Sequence, residues 1–414
     1  MHILFLSHYF VPENNAPAAR VHAMSREWVR LGHRVTVLTG APNVPAGVVY
    51  EGYRNRPLQQ EWIDGVRVVR VWTYLAANRG RLRRGLNFLT YFGSATLAAP
   101  LVRDVDLVVA TSPQFFAGWA GAPAALSRRV PFVLEVRDLW PASITAVGAL
   151  PPGRIVGALE LLERALYRSA DHIVAVGDGY RDQLVARGVP ASKVDVITNG
   201  VDTDLFTPRP ADPAVRARLG LPAEAFVVVF AGTIGMASGL DVALRAARRL
   251  KEAGRDDVRF LLVGDGAVRA ELEASARAQG LDNVLFTGLV PRHELPDLLA
   301  AGDACLVHFR RDELFATILP SKLFEDAAME RPILLGFEGH ARRLVEEAGC
   351  GIAFEPEDDA GLVAGIERLA ADPDAARRMG ENGRRYVLER YDRRELARRY
   401  LAVLERVRSE HGRR

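Results

Sequence analysis

Leu319-Pro320-Ser321-Lys322-Leu323-Phe324-Glu325 sets a lysine at the head of a helix and an acid in its first turn, and Arg331-Pro332-Ile333-Leu334-Leu335 follows as a short apolar strand. A helix N-terminus presents unbonded amides and a partial positive charge, and a lysine beside it adds a full one. A carboxylate one turn on can accept both hydroxyls of a ribose. Together these are the parts of a site that holds a nucleoside diphosphate without a metal. Lys193, Lys251 and Lys322 are the three lysines in a chain with 54 basic residues. Where arginine is the default cation, a lysine at a helix start points to a use for its compact charge.

Three more turns carry the same chemistry. Phe230-Ala231-Gly232-Thr233-Ile234-Gly235-Met236-Ala237-Ser238-Gly239 follows an apolar strand and precedes a helix, and its glycines let backbone approach a phosphate. Its spacing is neither that of a P-loop nor that of the dinucleotide fingerprint. Gly264-Asp265-Gly266 and Gly288-Leu289-Val290 are equivalent turns after the next two strands. With Lys322, Leu319, Ser321 and Glu325 they form one expected donor-binding rim, in which the amides of Thr233–Gly235 face phosphate and those near Gly264 and Val290 face the base.

In the first half, Glu135-Val136-Arg137-Asp138-Leu139-Trp140-Pro141 puts three charges at the end of an apolar strand. Charges there line a site or form a structural ion pair, and Arg137 beside Asp138 fits either. Asn14 and Asn15 form a turn after the first strand, and Arg20 follows on the next helix; all three are expected on the acceptor side. Asp104-Val105-Asp106 and Asp202-Thr203-Asp204 lack the further ligands a divalent ion needs, so no metal and no cofactor are expected.

The elements that must position these residues alternate short apolar runs with helical stretches, the signature of parallel sheets covered by helices. Strands are expected at Ile3–Ser7, Val35–Thr39, Val66–Trp72, Leu107–Ala110, Phe132–Val136, His172–Val176 and Val194–Ile197, with a helix over Ala18–Leu31 that stops at Gly32. The proline-rich Thr207–Pro213 segment is then a linker, after which strands resume at Phe226–Ala231, Phe260–Val263, Val284–Thr287, Ala304–Val307, Pro332–Leu335 and Gly351–Ala353. A closing helix, Leu396–Val407, has no strand after it. At 414 residues the chain suits two domains. The fold class is α/β: two doubly wound domains, 1–207 and 208–390, facing each other across a cleft, with 391–414 packing back on the first. Ligands of such sheets sit beyond the carboxyl ends of the strands.

A net charge of +3 excludes nucleic-acid binding by bulk charge. Two cysteines, Cys305 and Cys350, make neither a disulfide framework nor a zinc site, which suits a reducing cytoplasm. The apolar start His2–Leu6 lacks a basic flank and a cleavage site and reads as a buried strand. Gly85–Val102 approaches the length of a membrane span, but Asn87, Thr90, Ser94 and Pro100 argue against one. Arg81, Arg83 and Arg84 beside Phe88 and Phe92 suit a helix lying on an anionic membrane surface.

These residues together resemble a known family, the retaining glycosyltransferases of family 4 with the GT-B fold. The likeness is closest to the bacterial branch of O-antigen, capsule and colanic-acid assembly, including N-acetylfucosaminyltransferase-like members. It runs through Tyr9-Phe10-Val11-Pro12-Glu13, Gly32–Thr39, Arg137–Pro141, Thr198-Asn199-Gly200-Val201-Asp202, Gly232–Met236 and Leu319–Glu325. The resemblance implies a UDP-sugar donor, a lipid-linked saccharide acceptor at the inner face of the cell membrane and a peripheral enzyme. It puts Glu325 on the donor ribose. Glu325 fits the second of two family glutamates; the first, eight positions earlier, falls on Thr317, with Glu313 a nearby substitute. Its arginine and lysine on the diphosphate fall on Thr233 and Ser238, which makes Lys322 the replacement cation and Arg137 a second candidate. Its histidine falls on Arg137, and Asp138 or Glu135 would orient the acceptor hydroxyl. Two alternatives share the architecture: a non-hydrolysing UDP-sugar epimerase, and a catalytically idle sugar-nucleotide-binding protein.

Overall fold

The computed structural model describes residues 1–13, 15–44, 46–76, 81–112, 115–146, 153–313 and 315–413, without the side chains of 81, 82, 144 and 146. The chain divides into two compact units, Met1–Thr198 with Arg393–Arg414, and Asn199–Asp392.

The first unit holds β1 (His2–Leu6), β2 (Arg34–Gly40), β3 (Leu58–Ile63), β4 (Val66–Val71), β5 (Leu107–Thr111), β6 (Phe132–Val136), β7 (His172–Ala175) and β8 (Val194–Val196). They form one sheet in the order β3-β4-β2-β1-β5-β6-β7-β8. All neighbours are parallel except β3 and β4. Helices cover both faces, so β1, β5, β6 and β7 are buried at every residue and read in sequence as unbroken apolar runs. The hairpin strand β3 is the exception. Its residues alternate between exposed and half-buried, so no apolar run marks it in the sequence. The turn that makes it, Asp64-Gly65, has both residues at positive φ (48° and 78°), the geometry a two-residue hairpin requires.

The second unit holds β9 (Phe226–Ala231), β10 (Val258–Val263), β11 (Val284–Gly288), β12 (Ala304–His308), β13 (Ile333–Gly336) and β14 (Gly351–Phe354), in the parallel order β11-β10-β9-β12-β13-β14. The direction of winding reverses between β9 and β12, and ligands of open α/β sheets bind beyond the carboxyl ends at such a reversal.

The division between the units differs from the expected boundary at 207/208. Val201 and Phe206 are buried in the core of the second unit, and the Val201 amide donates to Tyr391 O at 2.9 Å. Residues 199–207 therefore lie with the second unit, ahead of the first proline of that segment, Pro208. The closing helix spans Arg393–His411 and belongs to the first unit, where Leu396, Tyr400 and Leu404 enter the core. Trp28 Nε1 donates to Ala397 O at 2.9 Å, and the Trp28 and Tyr400 rings meet edge to face.

Candidate functional site

The turns after β9, β10 and β11 are hydrogen-bonded into a single rim. Gly232 N donates to Val263 O (2.9 Å), Ile234 N to Asp265 O (3.0 Å) and Gly264 N to Gly288 O (3.0 Å). Two glycines make this approach possible. Gly264 sits at φ 132°, and a Cβ there would lie 2.0 Å from Gly232 O. Gly232 sits at φ 145°, and a Cβ there would come 3.0 Å from Lys322 Nζ. The same bonds correct part of the expected phosphate and base contacts. The Ile234 and Gly264 amides are engaged within the rim, and Gly266 N is held by the Asp265 carboxylate at 2.7 Å. The Thr233 and Gly235 amides make no backbone hydrogen bond among the described residues, and Gly232 and Thr233 are exposed.

Lys322 reaches into this rim. The Ser321–Ala328 helix starts beside it, and Lys322 Nζ stands 3.5 Å above the centre of the Phe230 ring, a cation–π position. It makes no ion pair among the described residues. Burial pulls its pKa down to about 7, against the pull of Asp326 and Glu325. Asp326 is fully buried, and burial holds its carboxyl well above the usual carboxylate range. Asp326 and Glu325 attract Lys322, and it makes no ion pair with either among the described residues.

Glu325 is nearly buried and takes Arg292 Nη2 on Oε1 at 2.6 Å, while the Arg292 guanidinium lies over the Phe206 ring. Arg292 is the partner of Glu325 that the sequence did not name. Its signal was position: it follows Val290-Pro291 in the turn after β11, on the edge that also carries Glu325. Thr317, Leu319, Ser321 and Val290 are half-buried at this edge, whereas Asp265 and Glu313 are exposed.

The first unit changes the reading of two residues. Glu135 has 0% exposure, pairs with Arg20 Nε at 3.0 Å and accepts the Thr111 hydroxyl at 3.0 Å. Arg20, itself buried, also donates to Ile197 O and Thr198 O. This pair ties the Ala16–Arg30 helix to β6 and to the end of β8. The sequence shows that both charges exist but not that they meet across 115 positions. Asn15 caps the helix by accepting from Ala18 N at 2.9 Å, and Asn14 lies outside the described residues.

Arg137 and Asp138 stand apart from that pair. Arg137 N donates to Ser112 Oγ at 3.0 Å, but its side-chain Nε and Nη1 are buried without a partner. Burial raises the Asp138 pKa, opposed by the Ser143 hydroxyl and the Leu139 amide. Trp140 stacks on Phe115 with centroids 4.9 Å apart.

On the Arg81–Ala98 helix, Arg83 and Arg84 are exposed, and the Arg81 side chain lies outside the described ones. Phe88 and Phe92 are half-buried rather than presented outward: Phe88 packs edge-on against His8 beneath Arg84. The exposed apolar residues are Leu86, Leu89 and Leu97. Among the described residues no helix is long and apolar enough to cross a membrane, and no three His, Cys, Asp or Glu side chains cluster as metal ligands.

Comparison with known proteins gives two family matches: a glycosyl transferase 4-like domain over residues 15–200 and a glycosyl transferases group 1 domain over residues 212–386. The chain is 31% identical to D-inositol 3-phosphate glycosyltransferase 1 of Catenulispora acidiphila, over 84% of this chain and 81% of that one. It is 28% identical to the putative colanic acid biosynthesis glycosyl transferase WcaI of Escherichia coli K12, over 84% and 87%. In fold it resembles Anabaena HepE, solved in complex with UDP and glucose, with a TM-score of 0.73 and 19% identity over 97% of this chain and 99% of that one.

Proposed function

The chain belongs to the group 1 glycosyl transferases, with two Rossmann-like units as in the GT-B fold, and from that premise we propose that it moves a sugar from a UDP-sugar to a lipid-linked saccharide in cell-surface polysaccharide assembly. The sugar is an N-acetylated or deoxy hexose. The observation that carries the reading is Lys322, which makes no ion pair among the described residues and stands over Phe230 one turn from Glu325, the carboxylate assigned to the ribose. Relatives support the two ends of the reaction: HepE was solved with UDP, and WcaI is named for colanic acid biosynthesis.

In this mechanism the anomeric C–O bond breaks, leaving electrons on the diphosphate, while the acceptor oxygen bonds to the anomeric carbon. Lys322 and the open Thr233 and Gly235 amides stabilise the charge where it develops. The acceptor proton passes to the leaving phosphate oxygen and the anomeric configuration is retained. Asp138 orients the acceptor hydroxyl, since Glu135 is committed to Arg20. The Arg292 pair orients the Glu325 carboxylate that the ribose hydroxyls meet.

The test is proton uptake. In the empty protein burial pulls the Lys322 pKa down to about 7, against the pull of Asp326 and Glu325. A bound diphosphate favours the charged form and raises that pKa, so UDP binding at pH 8 takes up protons. Affinity then falls as pH rises above 7, by up to about tenfold per pH unit. Calorimetric titration with UDP at pH 8, in buffers of different ionisation enthalpy, gives buffer-dependent heats for the wild type and not for Lys322→Met. Equal proton uptake by both proteins would place the diphosphate away from Lys322.

The membrane side rests on Arg83 and Arg84 beside the exposed Leu86 and Leu89. An arginine near an anionic surface contributes about 1 kcal/mol. Neutralising Arg81, Arg83 and Arg84 together then weakens sedimentation with phosphatidylglycerol vesicles by roughly 10²-fold. Unchanged sedimentation would remove this helix from any membrane contact.

A further inference from the structure

His308, the last residue of β12, is fully buried and uses both ring nitrogens. The Glu357 amide donates to Nε2 at 2.9 Å, so Nε2 carries no hydrogen. The hydrogen of the neutral ring is therefore on Nδ1, which donates to Ser238 O at 2.7 Å. Burial lowers the His308 pKa against the attraction of the Ser238 carbonyl, Asp241 and Glu357, in line with a ring that stays neutral. The ring sits in a fitted slot. It stacks on Phe354, and two glycines make room for its edges. A Cβ on Gly336 would lie 2.3 Å from its Cδ2, and one on Gly239 would lie 3.0 Å from its Cε1.

Ser238 lies in the turn after β9, the turn whose Thr233 and Gly235 amides make no backbone hydrogen bond among the described residues. Three successive carbonyls of that turn are held by the end of β12. Met236 O accepts Arg310 Nε at 3.0 Å, Ala237 O accepts the Arg310 amide at 2.9 Å, and Ser238 O accepts His308. Within the turn the Ser238 hydroxyl donates to Thr233 O at 2.8 Å. A chain of bonds thus runs from the buried ring through Ser238 to Thr233. Arg310 is exposed, so water competes for its bonds. The His308–Ser238 bond is interior, where a carbonyl left without a donor is costly. We infer that His308 is a positioning residue for the donor: its Nδ1–H holds the Ser238 carbonyl, and with it the turn whose Thr233 and Gly235 amides face the diphosphate. The inference rests on the UDP-sugar reading and names the residue that sets this part of the site.

Two substitutions divide the two ring bonds. In His308→Asn the amide nitrogen takes the place of Nδ1, so Ser238 O keeps its donor and the Glu357 amide loses its acceptor. In His308→Gln the amide oxygen takes the place of Nε2, so the Glu357 amide stays bonded and Ser238 O is released. Both variants lose the ring, and both melt at a lower temperature than the wild type. The full-length proteins are titrated with UDP by calorimetry, and hydrogen exchange of residues 232–239 is followed by mass spectrometry without ligand. His308→Gln weakens UDP binding by roughly tenfold and speeds exchange in the turn, whereas His308→Asn stays within about threefold of the wild type. A loss of UDP affinity in His308→Asn equal to or greater than that in His308→Gln overturns the inference. Wild-type affinity in His308→Gln overturns it as well, and leaves the ring to packing alone. Should the wild type bind no UDP, the donor reading fails, while the exchange rates of the two variants still judge whether His308 holds the turn.

Discussion

Lys322→Ala lowers the turnover of sugar transfer by roughly 10²–10³-fold, the scale of removing one oxyanion donor, and leaves the fold intact. The Lys322 ammonium rests on the ring of Phe230 and makes no ion pair among the described residues. A cation held that way is not serving an internal salt bridge, so its removal leaves no buried carboxylate newly charged. Asp326, the nearest acid in the same helix, is kept toward its neutral form by burial. The loss therefore falls on the transition state, where the departing diphosphate gains charge. Lys322→Met, which keeps most of the volume over Phe230, shows the same kinetic loss. Wild-type turnover in either variant would take Lys322 out of the mechanism, and a large drop in thermal stability would make it structural instead.

Glu135→Ala destabilises the first unit by about 3–5 kcal/mol, the range for removing one partner of a buried ion pair. Arg20 would stay buried beside the Ile197 and Thr198 carbonyls without the Glu135 carboxylate. The five tryptophans of the chain, Trp28, Trp62, Trp72, Trp119 and Trp140, all lie in the first unit. Urea unfolding followed by tryptophan fluorescence therefore reports that unit by itself, which matters because a two-unit chain has no single unfolding free energy. Stability equal to wild type, with transfer lost, would return Glu135 to the catalytic machinery.

How much of this was legible without coordinates follows from what each residue depends on. Parallel strands buried on both faces leave continuous apolar runs, so β1, β5, β6, β9, β10, β12 and β13 stand out in the sequence. The edge strand β3 does not, because Gln59, Gln60 and Glu61 interrupt it; only the Asp64-Gly65 turn marked it. Glycine turns and the Lys322 helix were readable because local spacing states their chemistry. Partnerships were not readable. Nothing near Glu135 in the chain names Arg20, and nothing near Glu325 names Arg292, since both pairs are made by the sheet. The boundary at Thr198 was hidden for the same reason: Val201 and Phe206 are assigned by what they pack against, not by the prolines after them.

The measurement that bears most directly on the whole account is a transfer assay: a panel of UDP-sugars against polyprenyl-diphosphate-linked saccharide acceptors, read by mass spectrometry. The account predicts an acceptor one sugar heavier, with one UDP released per product. An isomeric UDP-sugar formed without any acceptor, or UDP bound with no transfer across the panel, would contradict it.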